Sequence, residues 1–288
     1  MAEVTEPRNY EIVIQPTRGW LKIDWRELWE YRDLLVLLVQ RDFISRYKQT
    51  LLGPLWHLLQ PVMNAGVYFV IFSLIAKVPT DEIPPPLFYL CSQLAWNYFA
   101  QNVTIGGATF INNAHLFGKV YFPRLIVPVS VIVANLIAVG LQLVPFILCF
   151  VYYKLFTAKA AALPITWLLL LAPLPLIQTA LFSLGVSLLM SASTAKYRDL
   201  VHLNQYLIQI WMFATPVVWP LSTIPAHWKW IALANPMAVP VEALRICLLG
   251  RGTLGPAEIV ASLVLTFLVL AAGIAAFRKV ERTVIDSV

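Results

Sequence analysis

Few residues in this chain can do chemistry, and the basic ones are clustered. Arg41, Arg46 and Lys48 lie close together, with Tyr47 among them, just ahead of an uncharged stretch that opens through Gly53-Pro54. Guanidinium and ammonium groups bind anionic oxygens through charge-assisted hydrogen bonds. Lys and Arg flanking an apolar span mark its cytosolic end. An anionic headgroup arriving from the inner leaflet would meet this cluster first. The plainer alternative is that the charges only anchor and orient the chain, as most juxtamembrane Lys and Arg do.

Other chemistry is thin. No GxxxxGK[ST] phosphate loop, GxSxG elbow or HExxH pair occurs. The chain is therefore expected to bind no ATP of its own and to be a transport subunit, not an enzyme. His57, His115, His202 and His227 are scattered, with no carboxylate at ligand spacing, so no metal site is expected. Cys91, Cys149 and Cys247 stand far apart in apolar surroundings and read as small buried hydrophobes. The charge-free stretches hold no intramembrane acidic pair of the kind that couples transport to ions. Uphill transport would then draw its energy from a separate subunit. The net charge of +6 comes with no groove-reading or RNA-binding motif, so a nucleic-acid partner is not expected.

The aromatics invite a sugar-stacking reading. Tyr68 and Phe72 stand one turn apart, Tyr206 and Phe213 one heptad apart, and Trp56 opens the first apolar span. Such faces serve helix packing more often than ligand platforms. Trp20, Trp25, Trp29, Trp219, Trp228 and Trp230 fall at membrane borders, where an aromatic belt is the default.

The elements that must position these residues are membrane spans. Of the 288 residues, 59% are hydrophobic and 12% charged, against about 45–50% and 25% in soluble domains. No Asp, Glu, Lys or Arg occurs in 49–76, 83–118, 125–153, 160–195, 200–228 or 259–277. A crossing helix needs about 20 apolar residues. The sequence therefore predicts an all-α integral membrane protein with six transmembrane helices, near 51–76, 87–111, 125–153, 164–190, 200–219 and 257–277. Pro173 and Pro175 are expected to kink the fourth. The first 22 residues carry Glu3, Glu6, Arg8, Glu11, Arg18 and Lys22 and do not read as a signal peptide. With both termini cytoplasmic, fifteen of the 21 Lys and Arg fall on the inner side, as the positive-inside rule requires.

Four regions follow: a cytoplasmic segment 1–23, an amphipathic interface region 24–48, a transmembrane domain 49–278, and a cytoplasmic tail 279–288. Asp24 with Glu27 reads as a capping box that opens the interface helix. Residues 112–124 and 191–199 are inner loops, each of which could form a brief helix projecting into the cytoplasm. Between spans five and six, residues 220–256 hold two short apolar pieces, near 228–234 and 239–249, parted by Asn235-Pro236. An 11-residue helix covers about 16 Å, half the bilayer core. The pieces are expected to dip in from outside and return as a re-entrant pair, with Glu242 and Arg245 paired at i,i+3. An amphipathic loop on the lipid surface is the alternative.

Together these features resemble the membrane subunit of type-2 ABC exporters, closest to the polysaccharide-export branch that handles O-antigen, capsule and teichoic acid. RYKQTLLGPLWHLLQP (46–61), KVYFPRLIVP (119–128), KYRDL (196–200) and the spacing from Asn235-Pro236-Met237 to Arg245 carry the resemblance, which departs from the expected pattern at Gly118. It implies a homodimer lining a channel in the bacterial inner membrane, with two copies of a separate ATPase subunit that bind ATP and Mg. It makes Arg41, Arg46, Tyr47 and Lys48 the mouth for a lipid-linked diphosphate. Trp56, Tyr68, Phe72, Tyr206 and Phe213 become channel aromatics. Asn113, His115, Leu116, Lys119, Tyr197, Arg198 and Asp199 become the ATPase-coupling surface. Asn235, Pro236, Glu242 and Arg245 become the outer gate. The same fold could carry a drug or a lipid; a membrane glycosyl- or acyltransferase would rest on Glu242 alone.

Overall fold

The apolar windows fold as helices, and every regular element among the described residues is helical. The structure, a computed structural model, describes residues 25–48, 50–119, 121–157, 163–164, 166–225 and 227–285. Asp24, residues 1–23 and the last residues of the tail lie outside this set, so the capping box does too. The interface region divides in two at Tyr31, giving α1 (Trp25–Glu30) and α2 (Arg32–Tyr47). The first span is a composite. A 3₁₀ turn at Gly53–Leu55 leads into α3 (Trp56–Tyr68), which widens into π-helical turns over Phe69–Ile75.

Then follow α4 (Pro85–Gly106), α5 (Thr109–Asn112) and α6 (Ala114–Phe117). Next come α7 (Ile126–Phe156), α8 (Pro173–Lys196) and α9 (Leu200–Ala214). The chain closes with α10 (Lys229–Ala234), α11 (Ala238–Leu249) and α12 (Pro256–Ile285).

Among the described residues, four helical stretches are long and apolar enough to cross a membrane: Gly53–Ile75, Ile126–Phe156, Trp167–Lys196 and Pro256–Arg282. The expected second and fifth spans fall to α4 and α9, which differ for physical reasons. Helix α4 carries Gln93, Asn97, Gln101 and Asn102, and all of 87–99 except Asn97 is buried. It is shielded by protein, so its surface needs no lipid-like composition. Helix α9 has 15 residues, about 22 Å of rise.

Two further expectations change. Pro173 does not kink a helix; it is the first residue of α8, where a missing N–H costs nothing, after a 3₁₀ turn at Trp167–Leu171. The small polar run from Ser191 is not a loop but the last turns of α8. Ser193 Oγ donates to Leu189 O, and Thr194 Oγ1 to both Ser191 O and Gly107 O. Hydroxyls that bond back onto helix carbonyls let such residues stay helical.

Helix α4 is the hub, packed by α7, α8 and α11. Helices α8 and α12 lie closest of all. A Cβ on Gly273 would sit 2.3 Å from the Gly185 carbonyl oxygen, and one on Gly185 would sit 2.8 Å from Leu270 Cα. Small residues let membrane helices approach backbone to backbone. Gln178 adds an interhelical bond to Ser262 at 2.7 Å.

Helix α2 does not lie across the helix ends. Leu38 packs with Phe122, Ile126 and Val127, while Arg46 reaches Asn135. Eight residues along α2 thus match eight along α7, and the two run parallel.

Candidate functional site

One end of the bundle gathers the segments expected to couple to an ATPase. Helices α1, α5 and α6, the start of α7 and the ends of α8 and α12 meet in one apolar cluster. There the Phe110 ring stacks on Phe277 at 4.6 Å, and Phe117, Leu28 and Ala195 pack alongside. Arg124 lies 5.3 Å over the Phe117 ring and donates to Glu281 O. From this platform His115, Lys119, Tyr197, Arg198 and Asp199 are exposed, while Leu116 is half-buried. Asn113 is buried, and its Nδ2 donates to Thr109 O, fixing the corner between α5 and α6. The seven residues expected to couple are therefore brought to one end, five exposed and two packed behind them.

The basic cluster joins the same end. Arg41 donates to Asp42 Oδ1 at 2.7 Å and to Asn113 Oδ1 at 3.4 Å. Lys48 is exposed. Tyr47 closes α2, and its side chain lies outside the described set. Arg46 turns inward: Nη1 donates to Asn135 Oδ1 at 2.6 Å and Gln101 Oε1 at 3.4 Å. Asn135 stands nine residues into α7, about 13 Å from its start. Behind it, Asn135 Nδ2 donates to Asn102 Oδ1 at 2.7 Å, and Asn102 Nδ2 to Ser183 Oγ at 2.9 Å. Sequence reasoning found Arg46 but missed Asn135, Asn102, Gln101 and Ser183. The available signal was the presence of amides within charge-free apolar windows, where each must find a partner.

The five channel aromatics separate. Tyr206 and Phe213 are exposed on α9, in a stripe with His202 and Gln209 at helical spacing. Trp56 is exposed at the start of α3. Tyr68 and Phe72 are half-buried and pack inward: their rings meet at 6.1 Å, Tyr68 meets Tyr89 at 6.0 Å, and its hydroxyl donates to Met212 Sδ. They join α3 to α4 and α9.

At the opposite end, Glu242 and Arg245 pair as their spacing predicts, and both are wholly buried. Arg245 Nη2 also donates to Ser92 Oγ at 2.7 Å and Pro216 O at 2.6 Å, and its guanidinium lies 4.0 Å over the Phe88 ring. Glu242 Oε1 accepts from Thr253 N. The pair ties α11 to α4 and to the chain after α9. Asn235 is a second tie: Nδ2 donates to Ala214 O and Thr215 Oγ1, while Oδ1 accepts from Trp211 Nε1 and Met237 N. Pro236 fixes the turn that follows. Glu242 is committed within the pair and to Thr253 N. Among the described residues no three His, Cys, Asp or Glu gather as a metal-binding set.

Long apolar helices, small-residue packing and a clustered basic end define a multi-pass membrane protein built as a helical bundle. A family model described as "ABC-2 type transporter" matches residues 33–249, and the chain belongs to that family. It is 34% identical over 200 residues to the O-antigen export system permease protein RfbA of Myxococcus xanthus, covering 69% of this chain and 73% of the relative. It is 30% identical over 251 residues to the Klebsiella pneumoniae protein of the same name, covering 86% and 92%. A further Klebsiella pneumoniae protein of that name is 28% identical over 253 residues.

Proposed function

We propose that this chain is the permease subunit of an ATP-driven exporter that passes lipid-linked polysaccharide across the bacterial inner membrane. Two copies form the conduit, and two copies of a separate subunit bind ATP with Mg and hydrolyse it. The exposed stripe His202–Tyr206–Gln209–Phe213 on α9 carries this reading. Uncharged polar groups on a membrane helix are costly against lipid, whereas aromatic rings and amides suit the faces and hydroxyls of a sugar chain. Trp56, at the start of α3, would extend that wall at the end where substrate enters.

The connectivity supports six passes with both termini cytoplasmic. Helix α3 runs away from the basic end, α4 back to it, α7 away, α8 back, α9 away and α12 back. Residues 215–255 then leave and return at the outer end, where α10 and α11 form a re-entrant gate held by Asn235, Pro236, Glu242 and Arg245. The inner end offers His115, Lys119, Tyr197, Arg198 and Asp199 to the ATPase subunit, with Leu116 and Asn113 bracing them from behind. Arg41, Arg46, Tyr47 and Lys48 form the mouth at which the headgroup diphosphate is admitted.

Reconstitution tests the cargo. The chain with its ATPase subunit in proteoliposomes should hydrolyse ATP faster when lipid-linked O-polysaccharide is added. Replacing Tyr206 and Phe213 by Ala should reduce that stimulation. Stimulation by an amphipathic drug with none by the glycolipid would refute the assignment.

A further inference from the structure

We propose that Asn135 and Asn102, backed by Ser183, are positioning residues that orient the Arg46 guanidinium toward an anionic headgroup; the proposal rests on the mouth reading above. The three are almost fully buried, at 1%, 0% and 0% exposure, and come from α7, α4 and α8. Their hydrogen bonds run in one direction. Ser183 Oγ donates to Ala180 O, one turn back on its own helix. Its lone pairs are then left to accept from Asn102 Nδ2. Asn102 must therefore present Oδ1 to Asn135 Nδ2, and Asn135 must present Oδ1 to Arg46. Turning either amide over would set donor against donor and oxygen against oxygen in a low-dielectric interior, where such mismatches are most costly. The donor-only guanidinium at one end and the serine hydroxyl bonded to Ala180 O at the other thus agree on which amide atom faces the arginine.

The chemistry of that last atom matters. An amide oxygen holds a guanidinium in place through a hydrogen bond and carries no formal charge. A carboxylate at the same point would form an ion pair and offset the field that an incoming phosphate feels. Gln101 Oε1, the second acceptor, is also an amide oxygen. Both of these amide oxygens hold the Arg46 guanidinium without themselves neutralising it. Its geometry depends on α8, the helix whose end carries Tyr197–Asp199.

The test is a titration of ATPase activity with lipid-linked polysaccharide in the reconstituted complex, read as half-maximal concentration and maximal rate separately. Asn102→Leu should raise the half-maximal concentration roughly fivefold, the factor one hydrogen bond carries, and leave the maximal rate unchanged. In an Arg46→Ala background the same substitution should add nothing. Ser183→Ala, which removes a single hydroxyl, should shift the titration the same way by less, and it carries the test where Asn102→Leu fails to assemble. Asn135→Asp should also raise the half-maximal concentration while the complex remains intact, because the new carboxylate pairs with Arg46. The relay is overturned when Asn102→Leu and Ser183→Ala titrate as wild type, or when their shifts persist undiminished without Arg46. An Arg46→Ala complex that titrates as wild type overturns the mouth reading itself, and the relay with it.

Discussion

Replacing Arg245 by Leu should loosen the segment that joins α9 to α12 while leaving the rest of the bundle folded. The substitution strips Glu242 of its cation in a site with no solvent, leaving Thr253 N–H against its carboxylate. It also removes the donor to Ser92 Oγ and Pro216 O, and the cation over the Phe88 ring. Breaking one side of a buried ion pair costs about 3–5 kcal/mol. The separate losses are not added beyond that, because they belong to one coupled network. At about 1.4 kcal/mol per tenfold, amide exchange across 238–249 should quicken about a hundred- to several-thousandfold. Hydrogen-exchange mass spectrometry of the purified protein reads this peptide by peptide. The control is the paired substitution Glu242→Leu with Arg245→Met. It exchanges an ion pair for apolar bulk and should sit close to wild type, since buried pairs are often no more stabilising than hydrophobic replacements. Unchanged exchange in Arg245→Leu would refute the idea that this pair holds α11 against α4.

Other perturbations probe other joints. Gly273→Ala should push α8 from α12, since its Cβ meets a backbone oxygen at 2.3 Å. A cost of about 1–3 kcal/mol is expected for such overpacking, read as a lowered thermal midpoint in detergent. Asn235→Ala should strand Trp211 Nε1 and Met237 N, and protease cleavage between α9 and α11 should become faster by the factor that about 1–3 kcal/mol implies. Deleting 113–119 removes the corner from which His115 and Lys119 project, and the ATPase subunit should no longer co-purify with the chain.

Much of the architecture could be read from the placement of charge. The windows free of Lys, Arg, Asp and Glu became helices, and Asn235-Pro236 fell between the two short pieces as expected, because a proline without an N–H and an amide that bonds backbone leave little choice. Glu242 and Arg245 were legible as a pair from their spacing. Their complete burial was not, since spacing along a helix says nothing of what covers it. The end of α8 was misread for a similar reason. Ser, Thr and Ala look alike in a loop and in a helix whose hydroxyls bond back, and the Thr194 bond to Gly107 O joins positions far apart in sequence. Helix α2 is the clearest case. Its charges and apolar residues said nothing of which helix it runs beside, which was decided by Leu38 clustering with Val127 and by Arg46 bonding Asn135. Long-range meetings of that kind also hid the relay, whose members come from four helices.

The glycine-to-glycine seam between α8 and α12 has a mechanical consequence. Two rods in backbone contact, with Gln178 bolted to Ser262, have no slack to slide or part, so they tilt together as a single beam. One end of that beam carries Tyr197–Asp199; the other carries Glu258, which grips Lys229 at 3.0 Å on the short helix α10. A displacement at the first end would be carried to the second by the two helices moving together.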